Sequence, residues 1–348
     1  MAAKPRVLSG IQPTGGIHIG NYLGAIRNWV AQQDQYDNLF CIVDLHAMTL
    51  PYDAQTLRAR TLELASVLLA AGIDPSRSVL FVQSDVREHT ELCWILGTLA
   101  TVGELRRMTQ FKEKSKGNER VGAGILFYPV LQAADILLYD AAYVPVGEDQ
   151  KQHIELTRDL AIRFNHTFGE TFVIPEPDIK PAGARIMSLT NPLKKMSKSD
   201  PDPDSRIELR DPPDVIRRKI RRAVTDSETI IRYDEENKPA ISNLLTIYSL
   251  FADIPIPELE QRYAGKGYGE FKRDLAEVII EKLAPLQARL AEYDAHPERV
   301  IAILTEGAAR ARELAAAKMA VVRERCGLGL PRLESLPTST LQTALSSQ

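Results

Sequence analysis

Cysteine is scarce in this chain of 348 residues: Cys41, Cys93 and Cys326 are odd in number and far apart. They build neither a disulfide framework nor a CxxC metal or redox site, so a reducing compartment is expected. Long apolar runs are missing too. No stretch reaches the roughly 18 apolar residues of a membrane-spanning helix, and Met1 to Gly10 carries Lys4 and Arg6 without the apolar segment of a secretory leader. Nor does one sign of charge dominate. The 43 basic side chains face 46 acidic ones for a net charge of -3, so a polyanionic partner must be met by a local patch. His18, His46, His89, His153, His166 and His296 show no HExxH spacing, which argues against a protein-bound zinc. A GxxxxGKS/T phosphate loop and a GxSxG elbow are both absent. These absences predict a soluble, cytoplasmic protein with no membrane partner.

What is present is ordinary globular composition, 44% hydrophobic and 26% charged. At roughly 150 residues per domain, the length favours two domains. Val7-Leu8, Leu39 to Val43, Val79 to Val82 and Tyr143 to Val146 read as buried strands, each followed by apolar residues at helical spacing, such as Tyr22, Ile26 and Trp29. That alternation predicts an α/β fold with a Rossmann-like parallel sheet, whose ligands collect at the carboxyl ends of the strands. A polar stretch from Met108 to Gly124 reads as an exposed, mobile insertion. Near Ser199 to Asp214 the Asp-Pro pairs and Pro212-Pro213 mark a boundary, with Asp211 or Asp214 expected to cap the next helix. Beyond it the pattern is helical. The expected organisation is a sheet domain at 1–205, an all-helical domain at 206–334 and a polar tail at 335–348.

Three segments carry the chemistry. Strand Val7-Leu8 runs into Ser9-Gly10-Ile11-Gln12-Pro13-Thr14-Gly15-Gly16-Ile17-His18-Ile19-Gly20-Asn21, with a helix expected near Asn21. Its glycines admit close backbone approach, a helix N-terminus suits phosphate, and His18 offers a donor; a glycine-rich turn with a structural histidine is the plainer alternative. Far along the chain, Lys194-Lys195-Met196-Ser197-Lys198-Ser199-Asp200 sets three lysines and two hydroxyls between Pro192 and Pro201. Such a loop either folds ammonium groups over a polyphosphate or is simply solvated. Between them, Tyr128, Gln132 and Asp135 share one helical face, either reading the polar edge of a substrate or forming an ordinary polar stripe. Arg217, Arg218, Lys219, Arg221 and Arg222 gather on a later helix, as a solvated face or a contact for a nucleic-acid backbone.

HIGN and KMSKS together resemble the HIGH and KMSKS signatures of class I aminoacyl-tRNA synthetases. Longer stretches are similar to the bacterial and organellar tryptophanyl-tRNA synthetase family: SGIQPTG at Ser9 to Gly15, MTQFKEKS at Met108 to Ser115, VPVGEDQKQH at Val144 to His153, ARIMSL at Ala184 to Leu189, KKMSKSDP at Lys194 to Pro201 and AVTDSE at Ala223 to Glu228. The resemblance covers nearly the whole chain. It implies ATP contacts from Gln12, Pro13, Thr14, Gly20, Asn21, Gly147, Glu148, Asp149, Ile186, Lys195, Met196, Ser197, Lys198 and Ser199. It implies that Asp135 accepts the indole N–H of L-tryptophan, with Tyr128, Gln132 and Gln150 helping to hold the amino acid. His18, Lys114, Lys195 and Lys198 would serve catalysis. ATP with substrate-borne Mg2+, tRNA(Trp) bound through the helical domain, and a homodimer complete the expectation.

Two positions depart from the pattern. Asn21 replaces the second histidine of the wider HIGH motif, and Gln132 stands where many bacterial members have Met. Because Tyr-x-x-x-Gln-x-x-Asp also occurs in tyrosyl-tRNA synthetases, that activity is the runner-up. A small-molecule nucleotidylyltransferase and a non-catalytic RNA-binding relative are more distant alternatives. The helical region after KMSKS argues against the first, and retention of His18, Lys195 and Lys198 against the second.

Overall fold

The computed structural model describes residues 4–115, 121–145, 150–178 and 185–330. Its strands are β1 at Arg6–Ile11, β2 at Asp37–Ile42, β3 at Val79–Val82, β4 at Tyr143–Pro145 and β5 at Glu176–Asp178. They form one parallel sheet in the order β3-β2-β1-β4-β5. Val7 of β1 pairs with Asn38 on one side and Tyr143 on the other, so the order reverses beside β1. A crevice at the carboxyl end of β1 follows from that reversal, and it is where open α/β sheets bind ligands.

Alternation along the central strands builds the core on both faces. Phe40 and Ile42 of β2 and Leu80 and Val82 of β3 enter one apolar cluster; Leu39, Cys41, Val79 and Phe81 enter the other. The first four strands coincide with the apolar runs in the sequence. The fifth, Glu-Pro-Asp, has no apolar pattern to betray it, and sits at the sheet edge, where a proline is tolerated. Part of the expected insertion is ordered: Thr109–Ser115 is helical and Met108 is buried. Residues 116–120 of that stretch lie outside the described ones.

Among the described residues no strand follows residue 206. The later helices pack against the sheet region. Leu244, Leu245, Phe271, Leu275 and Leu283 share one apolar cluster with Phe40, Ile42 and Leu68 of the sheet region. The last helix, Pro297–Arg325, lies along edge strand β3, placing Val300 and Leu304 in one cluster and Ala308, Ala311 and Ala315 in the other. Gly307 permits this contact, since a Cβ there would come within 1.9 Å of the Leu80 carbonyl oxygen. The helix thereby covers an edge that would otherwise expose unpaired strand groups. At the expected boundary, Pro213 opens the helix Pro213–Arg222 without a side-chain cap. Asp211 instead accepts from the Glu208 amide at 2.9 Å and from Lys219 Nζ at 2.6 Å. No single helix among the described residues is long and apolar enough to cross a membrane.

Candidate active site

His18 caps the helical run that begins at Ile19, two residues earlier than the sequence suggests, and continues to Ala31 through a π-helical stretch at Tyr22–Ile26. Its Nδ1 accepts the Asn21 amide at 3.3 Å, and the Asn21 side chain accepts the His18 amide at 3.3 Å. Accepting at Nδ1 assigns the ring proton to Nε2, which becomes a donor. Burial, followed by the charges of Lys198, Arg206 and Lys195, lowers the His18 pKa to about 3, so the ring is neutral. The first-turn amides are less open than a bare helix N-terminus implies. Ile19 donates to Ile207 at 2.9 Å and Asn21 is used by His18.

The same pairing ties the HIGN segment to the stretch that follows KMSKS. Ile19 N–H donates to the Ile207 carbonyl and Leu209 N–H to that of Ile17, each at 2.9 Å, around a bridge between His18 and Glu208. Upstream, Met187 and Lys195 face each other across a hairpin closed by Ser188 to Lys194 at 2.8 Å and Met196 to Ile186 at 3.0 Å. The Met196 and Ile186 side chains are buried in the core beneath this hairpin. They therefore anchor the loop and do not present a side chain to a ligand. Lys195 is exposed and Lys198 partly so, while the Ser197 and Ser199 hydroxyls meet at 2.9 Å. Burial, then the neighbouring Arg60, lowers the Lys198 pKa to about 8 against the opposing pull of Glu63 and Glu208. Gln12 and Thr14 are exposed at the end of β1, Pro13 is buried, and Gly15 takes the left-handed φ of +77° needed to turn the chain toward His18.

Asp135 lies on the helix Ala123–Leu137 and is only 3% exposed, so it neither solvates nor caps that helix. Its Oδ1 meets Gln83 Nε2 at 2.7 Å and His89 Nδ1 at 2.6 Å; its Oδ2 meets His46 Nε2 at 2.8 Å. His89 continues through Nε2 to the Tyr139 hydroxyl at 2.8 Å. Donation from His89 Nδ1 leaves Nε2 to accept the Tyr139 proton, a self-consistent neutral tautomer. Burial alone would raise the Asp135 pKa, but the hydrogen bonds from His46 and His89 outweigh it and hold the carboxyl below the usual range. Oδ1 is fully engaged; Oδ2 has one partner and one acceptor position left.

Beside this network, beginning about two turns earlier on the same helix, lies a second. Tyr128 donates to Gln110 Oε1 at 2.6 Å and meets His153 Nε2 at 3.1 Å. His153 Nδ1 lies 2.8 Å from Gln150 Oε1, which also receives Gln132 Nε2 at a long 3.5 Å. The His46 ring stands edge-on to Tyr128 at 6.1 Å and joins the two networks. Thus Tyr128, Gln132 and Gln150 are brought together, with Asp135 adjacent. Gly147, Glu148 and Asp149 lie outside the described residues, as does the side chain of Lys114.

The sequence reading missed Gln83, His89 and Gln110, whose importance appears only through these bonds. It also missed Arg60 and Glu208, which frame the KMSKS loop. The basic helix is mostly paired within the chain: Arg217 with Glu277, Arg218 and Arg222 with Asp204, Lys219 with Asp211. A solvated, internally neutralised face describes it better than an open phosphate-binding row.

A parallel sheet carrying HIGN after its first strand, with the KMSKS lysine Lys198 set beside the Gly15 turn, defines the catalytic half of a class I aminoacyl-tRNA synthetase. The family model described as tRNA synthetases class I (W and Y) matches residues 1–284, and the chain belongs to that family. Its relatives fix the branch. It is 59% identical over 323 residues to tryptophan–tRNA ligase of Caldanaerobacter subterraneus subsp. tengcongensis, covering 93% of this chain and 98% of that one. Against tryptophan–tRNA ligase of Bacillus subtilis the identity is 53%, covering 94% and 99%. The solved tryptophanyl-tRNA synthetase of Mycoplasma pneumoniae superposes with a TM-score of 0.84 at 36% identity, covering 94% of this chain and 98% of that one. That of Campylobacter jejuni, complexed with ADP and tryptophan, gives 0.83 at 38%, covering 93% and 100%. A tyrosyl-tRNA synthetase from Aeropyrum pernix is only 23% identical and shares the fold. The branch is that of the bacterial tryptophanyl-tRNA synthetases.

Proposed function

We propose that the protein activates L-tryptophan with ATP and transfers it to tRNA(Trp). The tryptophan carboxylate attacks the α-phosphorus, the bond to the β-phosphate oxygen breaks, and diphosphate leaves with the bonding electrons. The 2′ or 3′ hydroxyl of the terminal adenosine of the tRNA then attacks the carbonyl carbon, releasing AMP. Both nucleophiles belong to substrates, so the protein contributes positioning and charge stabilisation. The observation that supports this reading is the pairing of Ile17 and Ile19 with Ile207 and Leu209, just beyond KMSKS, beside the approach of Lys198 to the Gly15 turn.

In this reading Gln12, Pro13, Thr14, Gly20 and Asn21 form one wall of the nucleotide site. Ile186 and the KMSKS residues form the other, with Gly147, Glu148 and Asp149 toward the ribose. Neutral His18 donates through Nε2 to a phosphate oxygen, and Lys195, Lys198 and Lys114 balance the charge leaving with diphosphate. Magnesium arrives with ATP, held by phosphate oxygens. The indole N–H reaches Asp135 at Oδ2, beside or in place of His46, because Oδ1 is already doubly bonded. Tyr128, Gln132 and Gln150 complete the amino-acid site.

The helical region after residue 206 meets the anticodon, where unpaired bases are read by stacking and hydrogen bonds. A homodimer in the cytoplasm completes the proposal; the 73% exposed Trp94 marks an apolar spot suited to a subunit contact. The test is aminoacylation of tRNA(Trp) and tRNA(Tyr) with radiolabelled tryptophan and tyrosine in parallel. Charging of tRNA(Trp) with tryptophan alone is expected, whereas tyrosine charged to tRNA(Tyr) would transfer the chain to the tyrosyl branch.

A further inference from the structure

Arg60 lies on the helix Ala54–Ala71, whose N-terminus is fixed by Asp53 accepting the Thr56 amide at 2.8 Å. Leu64 and the following turns bury the inner face of this helix, and Arg60 projects from its outer part, half-buried, toward the loop after β1. A methyl group built on Gly15 would lie 3.3 Å from Arg60 Nη1 and 3.6 Å from Lys198 Cβ. The guanidinium, the glycine turn and the second KMSKS lysine therefore meet within a few ångströms. Nothing in the local sequence signals this, because Arg60 belongs to neither signature.

The nearby carboxylates are committed elsewhere. Glu63, one turn along the same helix, meets Arg210 Nε at 3.1 Å, and Glu208 meets Arg206 Nε at 3.1 Å. Among the described residues Arg60, Lys195 and Lys198 have no acidic partner at bonding distance. Arg60 and Lys198, two cations beside one glycine turn, repel each other unless an anion joins them. The repulsion is visible in Lys198, whose pKa is lowered in part by Arg60.

We propose that Arg60 is a further phosphate-binding residue, which grips the diphosphate end of ATP together with Lys198. This rests on the reading of the site as one that activates an amino acid with ATP. A guanidinium suits the task because its fork of donors matches two phosphate oxygens at once and stays charged at every working pH. Its contribution is binding of the β- and γ-phosphates and of the departing diphosphate, with no bond made to the protein.

The test compares wild type, Arg60→Ala and Arg60→Lys in forward ATP–diphosphate exchange and in reverse ATP synthesis from tryptophanyl-adenylate and diphosphate. One charge-assisted contact at a partly exposed site predicts a rise of about tenfold in KM for ATP and for diphosphate in Arg60→Ala. KM for tryptophan and the unfolding temperature should stay as in wild type, and Arg60→Lys should recover part of the loss. An unchanged or lower KM for ATP would overturn the proposal, leaving Arg60 only a charge that repels Lys198. Parallel rises in KM for ATP and tryptophan with a lower unfolding temperature would likewise overturn it, as structural damage. Wild type inactive in exchange would remove the ligase reading together with this proposal, whereas active wild type with an insensitive Arg60→Ala removes this proposal alone.

Discussion

His46 Nε2 stands 2.8 Å from Asp135 Oδ2, a buried hydrogen bond spanning 89 positions of sequence. It occupies one of the two acceptor positions on the oxygen that an indole N–H would use, and the Gln83 and His89 bonds fill those of Oδ1. Under the proposed function, recognition at Asp135 would be coupled to a network that also holds the structure.

Asp135→Asn should act on both. An amide presents a donor to partners that themselves donate, so a buried carboxylate network loses its acceptor and the fold is destabilised by about 3 kcal/mol. The same change should lower the tryptophan-over-phenylalanine ratio of kcat/KM by about a hundredfold, since a site built on a hydrogen bond no longer rejects a substrate lacking the donor. Chemical denaturation and exchange kinetics with both amino acids measure the two effects. Lost stability with an unchanged ratio would leave Asp135 a structural hub and nothing more.

Lys198 supplies a pH dependence. Its ammonium, with a pKa near 8 in the free protein, is present below that pH and lost as pH rises through it. The value of kcat/KM for ATP should accordingly fall above pH 8, and Lys198→Arg should abolish that fall by keeping the charge. His18, already neutral with a pKa near 3, should add no limb near its ordinary 6.5. A profile in Lys198→Arg that matches wild type above pH 8 would assign the limb to another group.

Trp94, exposed on the helix Glu88–Gly97, provides the test of self-association. Light scattering should give the mass of two chains for the wild type and of one for Trp94→Asp, because a charge in a closed apolar contact is left unpaired. A wild-type mass of one chain, or a dimer indifferent to the substitution, would contradict a contact centred here.

The sheet was legible because alternation is local: Phe40 and Ile42 face one way and Leu39 and Cys41 the other within four consecutive residues. β5 was not, since Glu176-Pro177-Asp178 at a sheet edge has no apolar period to read. His18, Lys195 and Lys198 stand in short signatures that can be read along the chain without knowing the fold. Gln83 and His89 were hidden because their bonds to Asp135 span 52 and 46 positions and exist only once the helices pack. Arg60 was hidden for a related reason, being one cation in a helical pattern until folding sets it beside Gly15. The split at residue 205 follows the change from strands to helices, but apolar periodicity cannot say which helices share a core with the sheet.

Amino-acid-dependent ATP–diphosphate exchange without tRNA tests the central claim most directly. Labelled diphosphate should enter ATP when tryptophan is supplied, fail to do so with tyrosine or phenylalanine at the same concentration, and fade when Lys195 and Lys198 are both replaced by alanine. Equal exchange with tyrosine, or tryptophan-dependent exchange that survives loss of both lysines, would contradict the account.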